Sequence, residues 1–283
     1  MLISETRPKV SIYISTYNRL GKLKRAINSV LGQDYQNWEL LVCDDASTDG
    51  TSEFMNALIL TDERIRYLRS ESNKGACQTR NLGIFNATGL FITGLDDDDE
   101  FTPDRLTFFL QHWDDKYSFI CCDFLNKYPN GESKQYYCQD KEYHVFDARD
   151  LLYENEASNQ IFTLTERLRS IGGFNKDVKR LQDWDTWLRL AHLHGQFIRF
   201  NHVSYIMHHD HGPHEIRVSQ NEKITSALLS LAERNSDIYS SEDSLFMVYL
   251  VNSMNKKTSF FDSLYWSCKK KNPKYIVKYF LKR

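Results

Sequence analysis

The chain predicts an α/β fold: a mostly parallel central sheet flanked by helices, followed by a smaller, less regular region and a helical basic tail. Two observations carry that expectation. Short apolar, β-branched runs alternate with stretches of helical periodicity through the first 115 residues. Three of the polar loops that follow those runs are rich in acids or hydroxyls, and a parallel sheet gathers such loops on one rim.

Taken in order, Val10–Tyr17 (VSIYISTY) has the continuous apolar pattern of a strand covered on both faces. Leu20–Gln33 places Leu23, Ala26, Ile27, Val30 and Leu31 on one helical stripe. Trp38–Cys43 reads as a second strand, and its loop, Asp44 to Gly50, is full of helix N-cap residues. Ser52–Leu60 is a helix and Ile65–Leu68 a third strand. Cys77–Ala87 is a helix after the turn Asn73-Lys74-Gly75. Leu90–Leu95 is a fourth strand running into Asp96-Asp97-Asp98-Asp99, and Pro103 opens the next helix. Beyond it the signals weaken. Phe119–Leu125 and Ile161–Thr165 read as strands, with a turn at Lys127–Glu132. Gly172-Gly173-Phe174 is a tight turn and Trp184–His194 an amphipathic helix. Ile198–Phe200 and Val203–Met207 read as two short strands, and Ser226–Arg234 as a helix. The expected division is 1–115, 116–225 and 226–283.

With 283 residues, 41% of them hydrophobic and 26% charged, the composition is that of a globular protein with a sizeable core. The net charge of −2 hides an asymmetry: Ser244 to Arg283 holds nine Lys/Arg against Asp262, so this tail carries +8 and the rest −10. Such a split suits a body that holds cations and an end that meets an anionic surface. No run of about 18 apolar residues occurs, so no membrane span is expected. Six cysteines without C-x-x-C spacing, and no apolar stretch in Met1 to Lys9, point to free thiols in a reducing, cytoplasmic setting.

Four carboxylates in series repel one another, and the cluster is stable in water or with a cation; hard oxygen donors suit Mn²⁺ or Mg²⁺. In the loop after the second strand a doubled acid exceeds what capping needs, and a carboxylate there could accept from a base or ribose. Arg80, near the same rim, could hold a diphosphate. Asp183 and Asp185 both open an amphipathic helix, where an acid is commonly an N-cap. His208, His209, His211 and His214 cluster around Asp210, and a loop of that kind could close over a bound metal, although the spacing is not that of a zinc site.

Together these segments resemble glycosyltransferase family 2, whose nucleotide-binding fold is GT-A. VSIYISTYNR, CDDASTDGT, NKGACQTRNLGI, GLDDDDEFTPDRL and GGFN…LQDWDTWLRL match the family's pieces in family order, over residues 8 to 195. The resemblance implies a nucleoside pocket lined by Ser15, Tyr17 and Asp45, with Arg80 reaching the nucleotide. It implies a D-x-D within Asp96, Asp97 and Asp98. Asp98 would be the most direct metal ligand, with Asp96 a second; Asp96 or Asp97 would lie nearer the ribose and donor sugar. His209 and His211 are further metal candidates. Asp183 would be the general base and Trp184 would shape the acceptor site. The run extends the D-x-D to four acids, and Gln182 stands where the family often has Glu. The implied reaction is inverting transfer of a sugar from a nucleoside diphosphate, UDP by the family pattern, to an acceptor hydroxyl, assisted by Mn²⁺ or Mg²⁺.

The basic, aromatic tail from Phe260 reads either as a helix packing one apolar face or as an interfacial segment on the inner face of an anionic membrane. The second suits a polyprenyl-diphosphate-linked saccharide acceptor in surface polysaccharide (O-antigen or capsule) synthesis. A nucleotidyltransferase would need a glycine-rich loop after the first strand, and Ser15–Arg19 lacks one. A non-catalytic nucleotide-sugar-binding module is the other alternative. An acidic body without a known motif disfavours nucleic acid.

Overall fold

A computed structural model describes residues 7–137, 140–210 and 223–281. The chain divides into two compact units, one of Met1–Val178 with Gln182–Ile216 and one of Lys179–Leu181 with Arg217–Arg283.

The first unit starts with β1 (Val10–Thr16), α1 (Leu20–Leu31), β2 (Trp38–Asp44), α2 (Thr51–Leu58), β3 (Ile65–Arg69), α3 (Ala76–Asn86) and β4 (Phe91–Asp96). β1 and β2 are buried along almost their whole length because both faces are covered. α1 turns Leu23, Ala26, Ile27 and Val30 onto the sheet. Pairing is parallel throughout β3-β2-β1-β4, with Thr16 opposite Asp44 and Ser15 opposite Asp96. That register sets the carboxyl ends of β1, β2 and β4 side by side.

The remainder of this unit comprises β5 (Glu100–Phe101), α4 (Arg105–His112), β6 (Ile120–Lys127), β7 (Ser133–Gln135), β8 (Tyr143–Phe146), β9 (Phe162–Leu164), α5 (Thr165–Ser170), α6 (Gln182–His194) and β10 (Phe197–His208). All strands belong to one mixed sheet of order β3-β2-β1-β4-β9-β6-β10-β5, with β7 on β6 and β8 on β10. β9 enters antiparallel between β4 and β6. Its Phe162 stacks on Phe91 and Phe109 at 4.8 and 5.0 Å, so the two halves of the sheet share one core.

Three local expectations change. The two short strands expected at Ile198–Phe200 and Val203–Met207 are one strand, β10, whose register with β6 shifts between Phe200 and Tyr205. A bulge absorbs the polar pair Asn201-His202 without ending the strand. Pro103 lies in the turn before α4, not in its first turn. Glu100–Phe101, directly after the acidic run, pairs with β10 and ties that run to the far side of the sheet.

The second unit holds α7 (Ile224–Arg234), α8 (Ser241–Met254), α9 (Phe260–Lys269) and α10 (Lys274–Leu281). Capping boxes Ser240/Asp243 and Ser259/Asp262 start α8 and α9. α8 lies within the segment 226–283 expected to be helical, but the sequence delimits no separate helix there, because its apolar residues surround the helix instead of forming one stripe. Phe246 and Tyr249 of α8 pack with Trp266 of α9 and Tyr275 of α10. Among the described residues no helix is long and apolar enough to cross a membrane, and none of the five described cysteines is disulfide-bonded. Cys138 lies outside the described residues.

Candidate active site

The aligned ends of β1, β2 and β4 bring the expected residues together. After β1, Asn18 takes a left-handed conformation (φ 53°). Its N–H donates to Ser47 Oγ at 2.9 Å and its side-chain oxygen accepts from Thr48 N–H at 2.7 Å. The β1 and β2 loops are thereby fastened together. Asp44 serves the fold: it is buried and accepts from Ser47 N–H and the Tyr67 hydroxyl. Asp45 turns the other way, accepting from the backbone N–H groups of Lys74 and Gly75 at 2.7 and 2.8 Å. That fixes the entry to α3. Tyr17, next to this corner, is 47% exposed, and Ser15 is half-buried.

α3 carries Arg80 into the rim. Its guanidinium donates to Gln182 Oε1 at 2.6 Å and to Asp96 Oδ1 at 3.1 Å. One arginine therefore joins the end of β4 to the start of α6. Gln160 Nε2 donates to the same Asp96 oxygen at 3.1 Å. Gln160 approaches because residue 94 is glycine: a Cβ there would fall 2.6 Å from the Tyr13 hydroxyl oxygen and closer still to Gln160 Oε1.

At the start of α6, Asp183 keeps its Oδ1 out of contact with solvent and without a hydrogen-bond partner. Burial pushes its carboxyl up to about 7; Arg80 opposes that rise and Asp96 adds to it. Gln182, the neutral neighbour, spends its amide on Arg80 and on the Val178 carbonyl. Asp185 is turned inward and paired with Arg189. Trp184 is 8% exposed and donates to the Leu151 carbonyl, so its indole holds the 150–152 segment and is not presented to solvent.

The acidic run divides its labour. Asp99 is buried, accepting from the Tyr205 hydroxyl and from His208 N–H, both at 2.8 Å. Tyr205 in turn accepts from Asp96 N–H at 3.3 Å. This latch fixes the turn, and leaves Asp96 and Asp98 as its more accessible acids. Burial, and repulsion from Asp96, raise the Asp98 carboxyl. Asp97 is also buried and is pushed up to about 7, first by burial and then by Asp98. Arg19 Nη1 sits 3.1 Å from both Asp97 Oδ1 and Asp98 Oδ2.

A divalent ion fits this donor set. Asp96 and Asp98 offer hard oxygens, and their mutual repulsion is what a cation would relieve. Among the described residues no three acid, His or Cys side chains form a ready cage. A pair of carboxylates suits Mg²⁺ or Mn²⁺, which keep open positions for water and substrate phosphate. His209 is not drawn into it: its ring stacks on Tyr128 at 4.7 Å and its Nε2 meets Asn126 Oδ1 at 2.7 Å. His211 lies outside the described residues.

Sequence reasoning missed Arg19, Gln160 and Tyr205. Arg19 closes the loop already singled out after the first strand, and an arginine facing an acidic run was its available signal. Gln160 and Tyr205 gave none, since their partners lie 64 and 106 positions away.

Known proteins resemble the chain in both sequence and fold. Residues 11–212 match the model of Glycosyl transferase family 2. Over 263 residues the chain is 34% identical to an Escherichia coli (strain K12) protein named as the colanic acid biosynthesis glycosyl transferase WcaA, covering 88% of this chain and 90% of that one. It is 34% identical over 130 residues to the GalNAc(5)-diNAcBac-PP-undecaprenol beta-1,3-glucosyltransferase of Campylobacter jejuni, spanning 46% of this chain and 42% of that enzyme. In fold it is similar to S. aureus TarS 1–349 in complex with UDP-GlcNAc (TM-score 0.66, 18% identity, 81% of this chain, 66% of that one). It is also similar to the Pyrobaculum calidifontis mannosyltransferase PcManGT in complex with GDP-Man and Mn²⁺ (TM-score 0.55, 14% identity, 98% of this chain, 87% of that one). With a family match across most of the chain and an acidic rim, a half-buried arginine and a half-buried carboxylate to go with it, this protein belongs to glycosyl transferase family 2.

Proposed function

We propose that the protein is an inverting, metal-assisted glycosyltransferase that moves a sugar from UDP to a hydroxyl of a saccharide acceptor in surface polysaccharide synthesis. The observation that carries this reading is the Arg80 bridge. It joins Asp96, on the turn suited to a diphosphate, to the helix start bearing Asp183. The nucleoside would lie across Ser15, Tyr17 and Asp45, whose carboxylate retains lone pairs for a base N–H beyond the two backbone donors. Asp98 and Asp96 would hold the Mn²⁺ or Mg²⁺, which when bound offsets charge on the departing diphosphate. Arg80 steadies Asp96. Asp183 Oδ1, unpartnered and desolvated, takes the acceptor proton as the hydroxyl oxygen attacks the anomeric carbon. Attack from the face opposite the leaving group inverts that carbon. A thermal-shift screen of nucleotide sugars with and without Mn²⁺ tests the donor: UDP-sugars should raise the melting temperature, and more so with the ion. No shift with any UDP-sugar would overturn the assignment. NMR of the first-formed product tests inversion, and retained configuration would remove Asp183 from its role.

We propose that the acceptor is linked to a polyprenyl diphosphate at the inner membrane surface; that the Campylobacter relative is named for an undecaprenol-linked substrate supports this. On α9, Phe261, Leu264, Tyr265 and Cys268 form an exposed stripe at i, i+3, i+4, i+7; Val277, Phe280 and Leu281 of α10 are exposed too. Lys269, Lys271, Lys274 and Lys278 lie among them. An apolar face edged by lysines suits an anionic lipid surface. Phe261→Asp with Phe280→Asp should abolish co-sedimentation with anionic vesicles while leaving the melting temperature in place. Unchanged binding by that variant would defeat the membrane reading.

A further inference from the structure

The acidic turn has an internal cation of its own. Arg19 Nη1 stands 3.1 Å from Asp97 Oδ1 and 3.1 Å from Asp98 Oδ2, between two carboxylates that repel each other. Its backbone is clamped on both sides. Asn18 is bonded to the Ser47 hydroxyl and to Thr48 N–H, and Leu20 N–H donates to Asp49 at 2.9 Å. Its long side chain is only partly buried. The neighbouring cations of α1 border the same turn and are shared with Asp210. Arg25 is bonded to the Asp98 carbonyl and to Asp210, and Lys22 lies 3.6 Å from Asp210. Their charge stays beside the turn whatever Arg19 does.

We infer that Arg19 is an exchangeable counter-cation: it neutralises Asp97 and Asp98 in the unloaded enzyme, yields Asp98 to the divalent ion, and moves onto the donor diphosphate that arrives with it. The inference rests on the metal-assisted reading above. Charge is conserved through the exchange. A carboxylate that loses the guanidinium gains the ion, and the guanidinium gains phosphate oxygens, for which its planar fork is well matched. The same arginine would then oppose metal binding in the absence of donor and favour donor binding in the presence of metal.

That double role gives a signature of opposite signs. Arg19→Met should bind Mn²⁺ alone more tightly, by about three- to tenfold, because the competing cation is gone. With Mn²⁺ saturating, the same variant should bind UDP about tenfold more weakly, because a charged phosphate contact is lost. Arg19→Lys keeps the charge without the fork and should fall between wild type and Arg19→Met in both measurements. Mn²⁺ binding is read from the free-ion electron paramagnetic resonance signal, UDP binding by calorimetry, and folding by thermal melts. Weakening of both ligands would mark Arg19 as a plain structural or donor residue and overturn the exchange. Unchanged Mn²⁺ affinity in Arg19→Met would overturn it as well. Failure of the wild type to bind Mn²⁺ at all would overturn the metal reading, and the exchange with it. Should Arg19→Met not fold, Arg19→Lys still decides: Mn²⁺ affinity no tighter than wild type sinks the proposal.

Discussion

Replacing Asp183 with asparagine should inactivate the enzyme and stabilise it at the same time. The side chain keeps its shape and loses its negative charge. A positioned base contributes about 10²- to 10⁴-fold to such a transfer, so kcat should fall by about 10³-fold. Donor affinity should stay within about twofold, since no donor contact is assigned to this carboxylate. The stability gain follows from burial. The carboxyl is pushed from an ordinary 3.8 to about 7, so its ionised form is disfavoured in the folded protein. At about 1.36 kcal/mol per pKa unit the ceiling is about 4 kcal/mol. The sign sets the pH window. Below about pH 4 the carboxyl is protonated in both folded and unfolded chains, and the substitution should be neutral. As pH rises toward 7 only the unfolded chain gains by ionising, so the wild type loses stability that Asp183→Asn keeps. Above 7 the difference is complete. Thermal melts of both proteins at pH 4.5 and 8, beside initial rates at pH 8, give the whole comparison. An asparagine variant less stable than wild type at pH 8, or one retaining more than about a tenth of the activity, would refute the buried-base argument.

Two further outcomes follow from the same geometry. For the wild type, kcat/KM should drop about tenfold per pH unit below about 7, as Asp183 takes up its proton; a profile flat down to pH 5.5 would contradict this. Gly94→Ala should displace Gln160 from Asp96, costing about 1–3 kcal/mol of stability and weakening UDP binding more than about threefold; calorimetry and a melt read both, and full donor affinity would show that Gln160 does not tune Asp96.

The half of the fold that forms the rim was legible because its strands are buried on both faces and local in register. β1, β2 and β4 announce themselves as apolar runs, and the loops after them hold the polar residues. What followed Asp99 was harder to read. β9 reads as a strand at Ile161–Thr165, but its antiparallel place between Phe91–Thr93 and Ile120 is one that no local pattern encodes. β5 is two residues, defined by its partner on β10. In the site, Asp45, Arg80, Asp96, Asp98 and Asp183 stood out because motif order placed them. Trp184 is named through the family resemblance; its ring is buried and its N–H is bonded to the Leu151 carbonyl, packing that no local pattern encodes. Arg19 escaped notice because its role depends on an acidic turn nearly eighty positions away.

The inward turn of Asp99 bears on any attempt to count ligands by mutagenesis. A scan of the four acids would find every position important, yet the loss at Asp99 would come from slackening the anchor to Tyr205 and His208. Activity alone cannot separate that from a missing ligand. Unfolding curves can, because loss of the Asp99 anchor should lower the melting temperature in the absence of metal and nucleotide more than loss of the half-buried Asp98, whose carboxyl is repelled by Asp96. The same anchor answers the ambiguity that four identical residues create. Sliding the run by one residue would present Asp99 to the substrate and leave Tyr205 facing Asp98, so the buried phenol acts as the ruler that tells otherwise interchangeable aspartates apart.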